Sequence, residues 1–220
     1  MAVIVSKGLK VPIVGKRLSD FAAGEIVKLN ENGIPVEFYV VKHNYESGLN
    51  GNGRTLLVRK NGHSQRVFDS GSSNVYADSD LDVWFNGSYK ATLDPAVQEA
   101  ISKTKFYYLK ATAYQTYQQY TLERAVFAQS YSEIGGNRHD SNQPTDGSYL
   151  GAGMKATTDK HWLRTPHTLN SNYTGYECTL AGSTHSYSGV GISTVYARPM
   201  FTLPENALFN EKTLLFVGVK

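Results

Sequence analysis

Two short stretches that end in proline, residues 160–166 and 197–204, constrain the fold of this chain most strongly. The first contains His161-Trp162-Leu163-Arg164-Thr165-Pro166, and the second runs from Ala197-Arg198-Pro199 through Phe201 to Pro204. Each alternates apolar and polar residues before a proline, which is typical of a half-buried strand that ends there. The residues between them are rich in Ser, Thr, Asn, Gly and Tyr and predict an exposed loop. We therefore expect two core strands that support a long loop, where binding functions often reside.

The large side chains of these stretches predict structural roles. Trp162 and Phe201 are expected in the packed interior, because large aromatic residues in strands usually anchor packing. Arg164 and Arg198 each lie beside a proline that ends a strand, where a guanidinium can satisfy loop carbonyls or a carboxylate. Trp84 is expected to supply apolar contacts from a helix.

The polar and aromatic residues of the intervening loop are the candidate ligand-binding residues, because few of them are needed to fill a core. They combine amide and hydroxyl groups with flat aromatic surfaces, a combination that suits recognition of glycans or protein epitopes. The alternative is a set of solvated turn residues. The candidates are Asn170, Asn172, Tyr173, Tyr176, His185 and Tyr187.

The order of local patterns predicts an N-terminal arm, residues 1–23, followed by one domain, residues 24–220. The arm is expected to pack on its own domain or on a neighbouring subunit, the alternative being a flexible terminus. Strands are predicted at residues 25–29, 36–41 and 54–60, with turns at Asn32-Gly33 and at residues 50–53. Because Asn-Gly is a strong hairpin signal, these strands predict an antiparallel meander.

Two short helices and several loops are predicted beyond the meander. The first helix is expected after a cap at Asp78 or Ser79 and to end at Asn86-Gly87, and the second begins at Pro95 after Asp94. Residues 104–110 predict a strand, residues 114–120 a loop or a short helix, and residues 121–130 a buried strand or short helix. Residues 135–153 predict a long loop. Residues 213–219 predict a final strand, for which the first sheet is a candidate partner.

Composition argues against several classes of function. The formal net charge of +3 is small and dispersed, and Lys and Arg form no run with aromatics, so nucleic acid is not an expected partner. No stretch approaches the roughly 20 apolar residues of a membrane span. The N-terminus lacks the pattern of a signal peptide. Cys178 is the single cysteine, which excludes an intrachain disulfide and suits a reducing cytoplasm.

Catalytic and metal-binding motifs have little support. The sequence contains neither a Gly-x-Ser-x-Gly elbow nor a His-Glu-x-x-His pair, so we expect no enzyme. Cys178 is expected to be a small buried apolar residue, with a Cys–His catalytic pair as the alternative. Asp78, Asp80 and Asp82 alternate, and a second acidic set lies at residues 140–146; either offers oxygen ligands for calcium, but capping and turn formation explain both. No cofactor or metal is expected.

The order of several motifs resembles a family of phage and prophage proteins of largely unknown function. The resemblance covers roughly residues 24–210. The family shows a Trp-Leu-Arg-Ser-Pro stretch, a variable loop rich in Tyr, Ser and Gly, and a Gly-Val-Arg-Pro-Ala-like strand. This chain departs from it at Thr165 and at Tyr196-Ala197. The motifs that carry the resemblance are residues 73–75, 81–86, 96–101, 124–135, 162–166 and 197–201.

The resemblance implies an α+β, C-type-lectin-like domain of antiparallel sheets, two short helices and long loops. That scaffold is similar to phage tropism determinants and to variable proteins diversified by retroelements, which implies a recognition surface within residues 168–188. The related formylglycine-generating enzymes need paired cysteines, which a chain with only Cys178 does not supply.

The implied function is a virion protein, made in the host cytoplasm, that binds a host-surface glycan or protein, with a head or tail decoration protein as the alternative. Residues 1–23 are expected to contact other virion proteins, and the protein is expected to form a homo-oligomer.

Overall fold

A computed structural model describes residues 14–113, 116–134, 154, 160–167, 173–178 and 185–220. The α-helices are α1 (Ser47–Asn50), α2 (Asp80–Trp84) and α3 (Pro95–Ala100). The strands are β1 (Lys16–Arg17), β2 (Ile26–Glu31), β3 (Ile34–His43), β4 (Arg54–Arg59), β5 (Thr104–Ala113), β6 (Thr116–Arg124), β7 (Val126–Phe127), β8 (Tyr173–Cys178), β9 (His185–Gly189), β10 (Met200–Pro204), β11 (Ala207–Phe209) and β12 (Phe216–Val219). The protein is therefore α+β, with mostly antiparallel sheets and few short helices.

The largest sheet has the strand order β2-β3-β4-β10-β7, and its strands are antiparallel. Its first part is the predicted meander. Asn32 and Gly33 connect β2 to β3 with φ angles of 51° and 77°, and two positive φ angles are what a tight hairpin turn requires. The predicted turn at residues 50–53 is preceded by the short helix α1, so the connection between β3 and β4 is more structured than expected.

Strand β10 lies between β4 and β7, so it joins these two strands, which are distant in sequence, in one sheet. Phe201 pairs with Leu57 on one side and with Val126 on the other. Its ring is fully buried and lies 5.4 Å from that of Phe38. The second predicted core strand therefore forms at residues 200–204, as an inner strand of the sheet.

A smaller sheet, in the order β1-β11-β12, packs against the same core. The rings of Phe21 and Phe216 each lie 5.7 Å from the ring of Phe209. Leu18 is fully buried. Residues 16–21 of the predicted arm are thus part of the domain's own packing, and residues 1–13 lie outside the described residues. The final strand pairs with β11, and a parallel bridge between Leu215 and Lys28 connects this region to β2 of the larger sheet.

Both predicted helices form, with different ends. Ser79 caps α2, its side chain accepting a hydrogen bond from the Asp82 N–H. Helix α2 does not end at Asn86-Gly87: the chain continues through a π-helical turn, Phe85–Tyr89, and a 3-10 turn, Lys90–Thr92. Asn86 favours this continuation because its side chain bonds to the backbone of β7, as described below.

Strands β5 and β6 form a long hairpin, which corrects the prediction of a loop or short helix at residues 114–120. Residues 116–120 belong to β6 and pair with β5. The rings of Tyr108 and Tyr120 lie 5.7 Å apart across the hairpin. Tyr and Thr favour strands, and cross-strand aromatic pairs stabilise them, so pairing outweighs the helical spacing of the tyrosines. The predicted loop at residues 135–153 lies outside the described residues.

Candidate functional site

Strands β8 and β9 form a two-stranded antiparallel hairpin within the predicted recognition segment, residues 168–188. This corrects the expectation that the whole segment is loop. Its backbone brings Tyr173 and Tyr176 onto one strand and His185 and Tyr187 onto the other. Tyr and Thr again favour pairing here. Asn170 and Asn172 lie outside the described residues.

A β-bulge interrupts the pairing of β8 with β9. Thr174 pairs with Ser188 and Glu177 with Ser186, so two residues of β8 oppose the single residue Tyr187 of β9. One of the two is Tyr176. Bulges locally bend and twist a strand, and they often re-aim side chains at functional sites. The bulge therefore lies where Tyr176 of β8 stands opposite Tyr187 of β9.

The hairpin is connected to the core through residues 160–167 and 195–201, which we name the platform. Trp162 N donates to Tyr196 O at 3.0 Å, and Tyr196 N donates to Lys160 O at 2.8 Å. These bonds make residues 160–162 and 196 parallel neighbours, with a bridge between His161 and Tyr196. The recognition segment therefore leaves and rejoins the core through adjacent stretches of backbone.

Trp162 anchors the platform in the interior. Its side chain is fully buried and packs edge-on against Phe68, with ring centroids 5.8 Å apart. Its Nε1–H donates to Arg66 O at 2.7 Å, so the polar end of the indole is satisfied as well. A buried Trp that also makes this hydrogen bond fixes the position of residues 160–167. These residues form an isolated bridge at His161 and no strand, which corrects the prediction of a core strand at residues 160–166.

A buried ion pair joins the platform to the turn after β7. Arg164 donates to both carboxylate oxygens of Glu133, each at 2.8 Å, and to Ala128 O. Tyr45 OH donates to the same carboxylate at 2.6 Å. Burial would lower the pKa of the Arg164 guanidinium, but the charge of Glu133 opposes this and the net pKa is raised. The pKa of Tyr45 is raised by burial and then by Glu133. Arg164 therefore stays charged and Tyr45 neutral.

Arg198 holds the other side of the platform, through carbonyls. Its guanidinium is fully buried and donates to Arg59 O at 2.8 Å and to Met154 O at 2.7 Å. It also reaches Gln129 Oε1 at 3.4 Å, an oxygen that lies 2.6 Å from His161 Nε2. Arg164 and Arg198 thus lie where an arginine fork connects loop backbone to the core.

Sequence reasoning did not single out Glu133 or Gln129, the side chains that these two arginines contact. A signal for Glu133 exists, because Ser130 and Glu133 have the spacing of a capping box. The Ser130 N–H donates to Glu133 Oε2 at 2.7 Å, and the Glu133 N–H donates to Ser130 Oγ at 3.2 Å. No comparable local pattern marks Gln129.

The alternating aspartates before and within α2 make protein contacts. Asp82 is buried and accepts from Arg124 Nε at 2.9 Å, while Asp78 accepts from the same guanidinium. Burial raises the pKa of Asp82, and Arg124 and the Asp78 N–H oppose that shift. Asp80 accepts from Ser70 N at 2.8 Å. Among the described residues, no group of three His, Cys, Asp or Glu side chains is placed to hold a metal ion.

Trp84 lies at the border of the core, where it packs against the buried ring of Phe85 at 5.5 Å. Its ring is half-buried, and the Arg66 guanidinium lies over it at 3.8 Å. The rings of His63 and Tyr89 lie 5.2 and 5.5 Å away. Its environment therefore combines aromatic and cationic groups at the edge of the protein.

These features define an α+β protein whose hairpin is mounted on a buried, hydrogen-bonded platform. Residues 52–205 match the family described as Domain of unknown function (DUF6273), and the chain belongs to that family. No curated protein and no solved structure matches the chain. Within the part of the chain that the structure describes, no helix is long and apolar enough to cross a membrane.

Proposed function

We propose that this protein is a non-enzymatic phage virion protein that binds the host surface through residues 168–188, on a C-type-lectin-like scaffold. The observation that carries the proposal is the mounting of the β8–β9 hairpin on the platform. A segment rich in Tyr and Ser emerges from backbone that is fixed by Trp162, Arg164 and Arg198. Rigid support lowers the entropy cost of binding through such a segment.

The tyrosines of the hairpin provide the test. Replacing Tyr173, Tyr176 and Tyr187 together with Ala is expected to reduce adsorption of phage to host cells by about tenfold or more, since aromatic anchors dominate most interfaces. A matched control is Ile34→Ala, which removes an exposed side chain from the β2–β3 hairpin. Normal adsorption by the triple variant, with unchanged virion incorporation, would reject the receptor role.

The alternative is a decoration protein on head or tail that the N-terminal arm docks to the virion lattice. Val14, the first described residue, is 80% exposed, so an apolar side chain at the start of the domain is open to a neighbour. Normal adsorption by the tyrosine variant together with loss of incorporation after deletion of residues 1–13 would favour this alternative. Hydrolysis of purified cell wall by the isolated protein would contradict both.

A further inference from the structure

Arg66 is fixed at the edge of the platform through its backbone. It lies in the segment after β4, where its N–H donates to Val195 O at 2.9 Å. Its carbonyl accepts from Trp162 Nε1 at 2.7 Å. The residue is half-buried. The start of its side chain therefore has a defined position.

The guanidinium of Arg66 is also held in place. Its carbon Cζ lies 3.8 Å from the centroid of the Trp84 ring, the distance expected for a cation stacked on an aromatic face. Its Nε–H donates to Ser64 Oγ at 3.2 Å. The stack and this hydrogen bond restrict the group to one plane and leave the two Nη atoms as the available donors.

The charge of Arg66 is not neutralised by its surroundings. Arg59, Arg124 and Arg164 each pair with a carboxylate at 3.0 Å or less. In residues 14–113 and the other described parts, no carboxylate lies within 4.0 Å of the Arg66 guanidinium. Partial burial lowers the pKa of Arg66, as expected for a cation that loses water without gaining a counter-ion.

A second basic group stands beside the same Trp84 ring. His63 lies 5.2 Å from that ring, edge-on, and its Nδ1 is 3.0 Å from Ser64 Oγ. Burial lowers the pKa of His63; Glu31, whose Oε2 lies 4.0 Å from His63 Nε2, opposes this shift, and Arg59 and Arg66 add smaller lowering effects. The lowered pKa favours neutral His63, so Arg66 is the cation at this ring.

We propose that the Nη edge of Arg66, stacked on Trp84, binds the oxyanion of an acidic saccharide, either a carboxylate or a phosphate group. The planar fork of an arginine matches both anions in geometry. The half-buried indole of Trp84 offers apolar surface to the carbon face of a sugar. This inference does not require the hairpin to bind a receptor.

Trp84 also supplies the measurement. The chain has two tryptophans, and Trp162 is fully buried, so a ligand at Arg66 is expected to alter the fluorescence of Trp84. The probes are glucuronate for the carboxylate, glucose 6-phosphate for the phosphate, inorganic phosphate, and glucose as the neutral sugar. We expect saturable binding of at least one acidic sugar, with a Kd on the order of 1 mM or tighter.

Three variants distinguish specific binding at Arg66 from nonspecific attraction of anions by the protein's positive charge. Arg66→Gln is expected to weaken binding about tenfold or more, because charge-assisted hydrogen bonds to the ligand are lost. Arg66→Lys is expected to weaken it less, because a lysine keeps the charge but not the fork. The matched control is Arg17→Gln, which removes an equal charge from an exposed position and is expected to leave affinity unchanged.

The inference is overturned by any of three results. The first is that neither acidic sugar binds at concentrations up to roughly ten times the expected Kd of about 1 mM. The second is that Arg17→Gln and Arg66→Gln weaken binding equally. The third is that Arg66→Gln lowers thermal stability without changing affinity, as replacement of a purely structural arginine would. Binding of inorganic phosphate as tight as that of glucose 6-phosphate would also overturn the assignment to a saccharide, and would indicate an adventitious ion only.

Discussion

At the scale of single residues, Glu133 is the buried carboxylate that pairs with Arg164 of the platform. It is 3% exposed and accepts hydrogen bonds from Arg164, Tyr45 and the backbone of Ser130. A buried ion pair adds little stability over an apolar replacement, but the loss of one partner leaves a costly buried charge. Replacing only Glu133 or only Arg164 is therefore expected to destabilise the fold more than replacing both.

Replacing Glu133 with Gln is expected to lower the free energy of unfolding by about 3–5 kcal/mol, because Arg164 stays buried without a counter-charge. Urea denaturation would measure the loss, and Glu99→Gln, at an exposed position, is the control. The double variant Glu133→Leu with Arg164→Met is expected to be more stable than Glu133→Gln alone. A loss below about 1 kcal/mol for Glu133→Gln, which is typical of surface pairs, would contradict a buried pair.

The sequence supports the positions of Arg164 and Trp162 better than their partners. The alternation before Pro166 is a local pattern that predicts a half-buried strand. The burial of Trp162 and Arg164 agrees with it, but these residues form no strand. The carboxylate that meets Arg164 lies 31 positions away, and only long-range packing brings the two together. Arg66 and Trp84 show the same limit, because no local spacing relates residue 66 to residue 84.

At the scale of elements, Asn86 joins the π-helical turn after α2 to strand β7. Its Nδ2 donates to Val126 O at 2.9 Å, and its Oδ1 accepts from the N–H groups of Ala125 and Val126 at 3.0 and 3.1 Å. Strand β7 lies at the end of its sheet. The side chain thus takes the place of a further strand along that edge.

Replacing Asn86 with Ala is expected to lower the free energy of unfolding by about 2–3 kcal/mol, since it leaves backbone groups of β7 without partners. Amide hydrogen exchange should show faster exchange at Val126, and Ser88→Ala, at an exposed position, is the control. Exchange at Val126 that stays as slow as in the unchanged protein would contradict this role.

Elements that are specified by neighbouring residues were predictable, and the others were not. Asn32-Gly33 specifies the β2–β3 hairpin, and Ser79 and Pro95 specify two helix starts, all through local hydrogen bonds or fixed φ angles. The β5–β6 and β8–β9 hairpins contain tyrosines whose spacing also suits other structures. Their pairing depends on cross-strand contacts, which a local pattern does not reveal.

At the scale of the whole molecule, residues 16–21 of the predicted arm pack with the domain, so we propose a boundary between arm and domain before residue 16. Strand β1 pairs with β11, and Leu18 and Phe21 are buried in the common core. Gly15 lies so close to β11 that a Cβ there would be 2.5 Å from Phe209 O. Sheet order of this kind depends on distant pairing, so the sequence alone did not place β1.

Deletion of residues 1–13 is expected to leave the thermal unfolding midpoint nearly unchanged, whereas deletion of residues 1–23 removes two buried side chains. The longer deletion should cost about 3–6 kcal/mol from burial alone, at about 1.5–3 kcal/mol for each side chain. Circular dichroism during heating would measure both, and Leu18→Ala with Phe21→Ala in the full chain is the matched control. Equal midpoints for the two deletions would contradict the boundary.

The parallel bridge between His161 and Tyr196 has a consequence for how this protein can diverge. Because the segment between His161 and Tyr196 begins and ends at hydrogen-bonded neighbours, the pairing at its base does not depend on how many residues the segment contains. Closing a longer excursion costs only about 0.6 kcal/mol for each doubling of its length. The region between β8 and β9 can therefore vary in length and sequence among related proteins, while the rest of the fold stays the same.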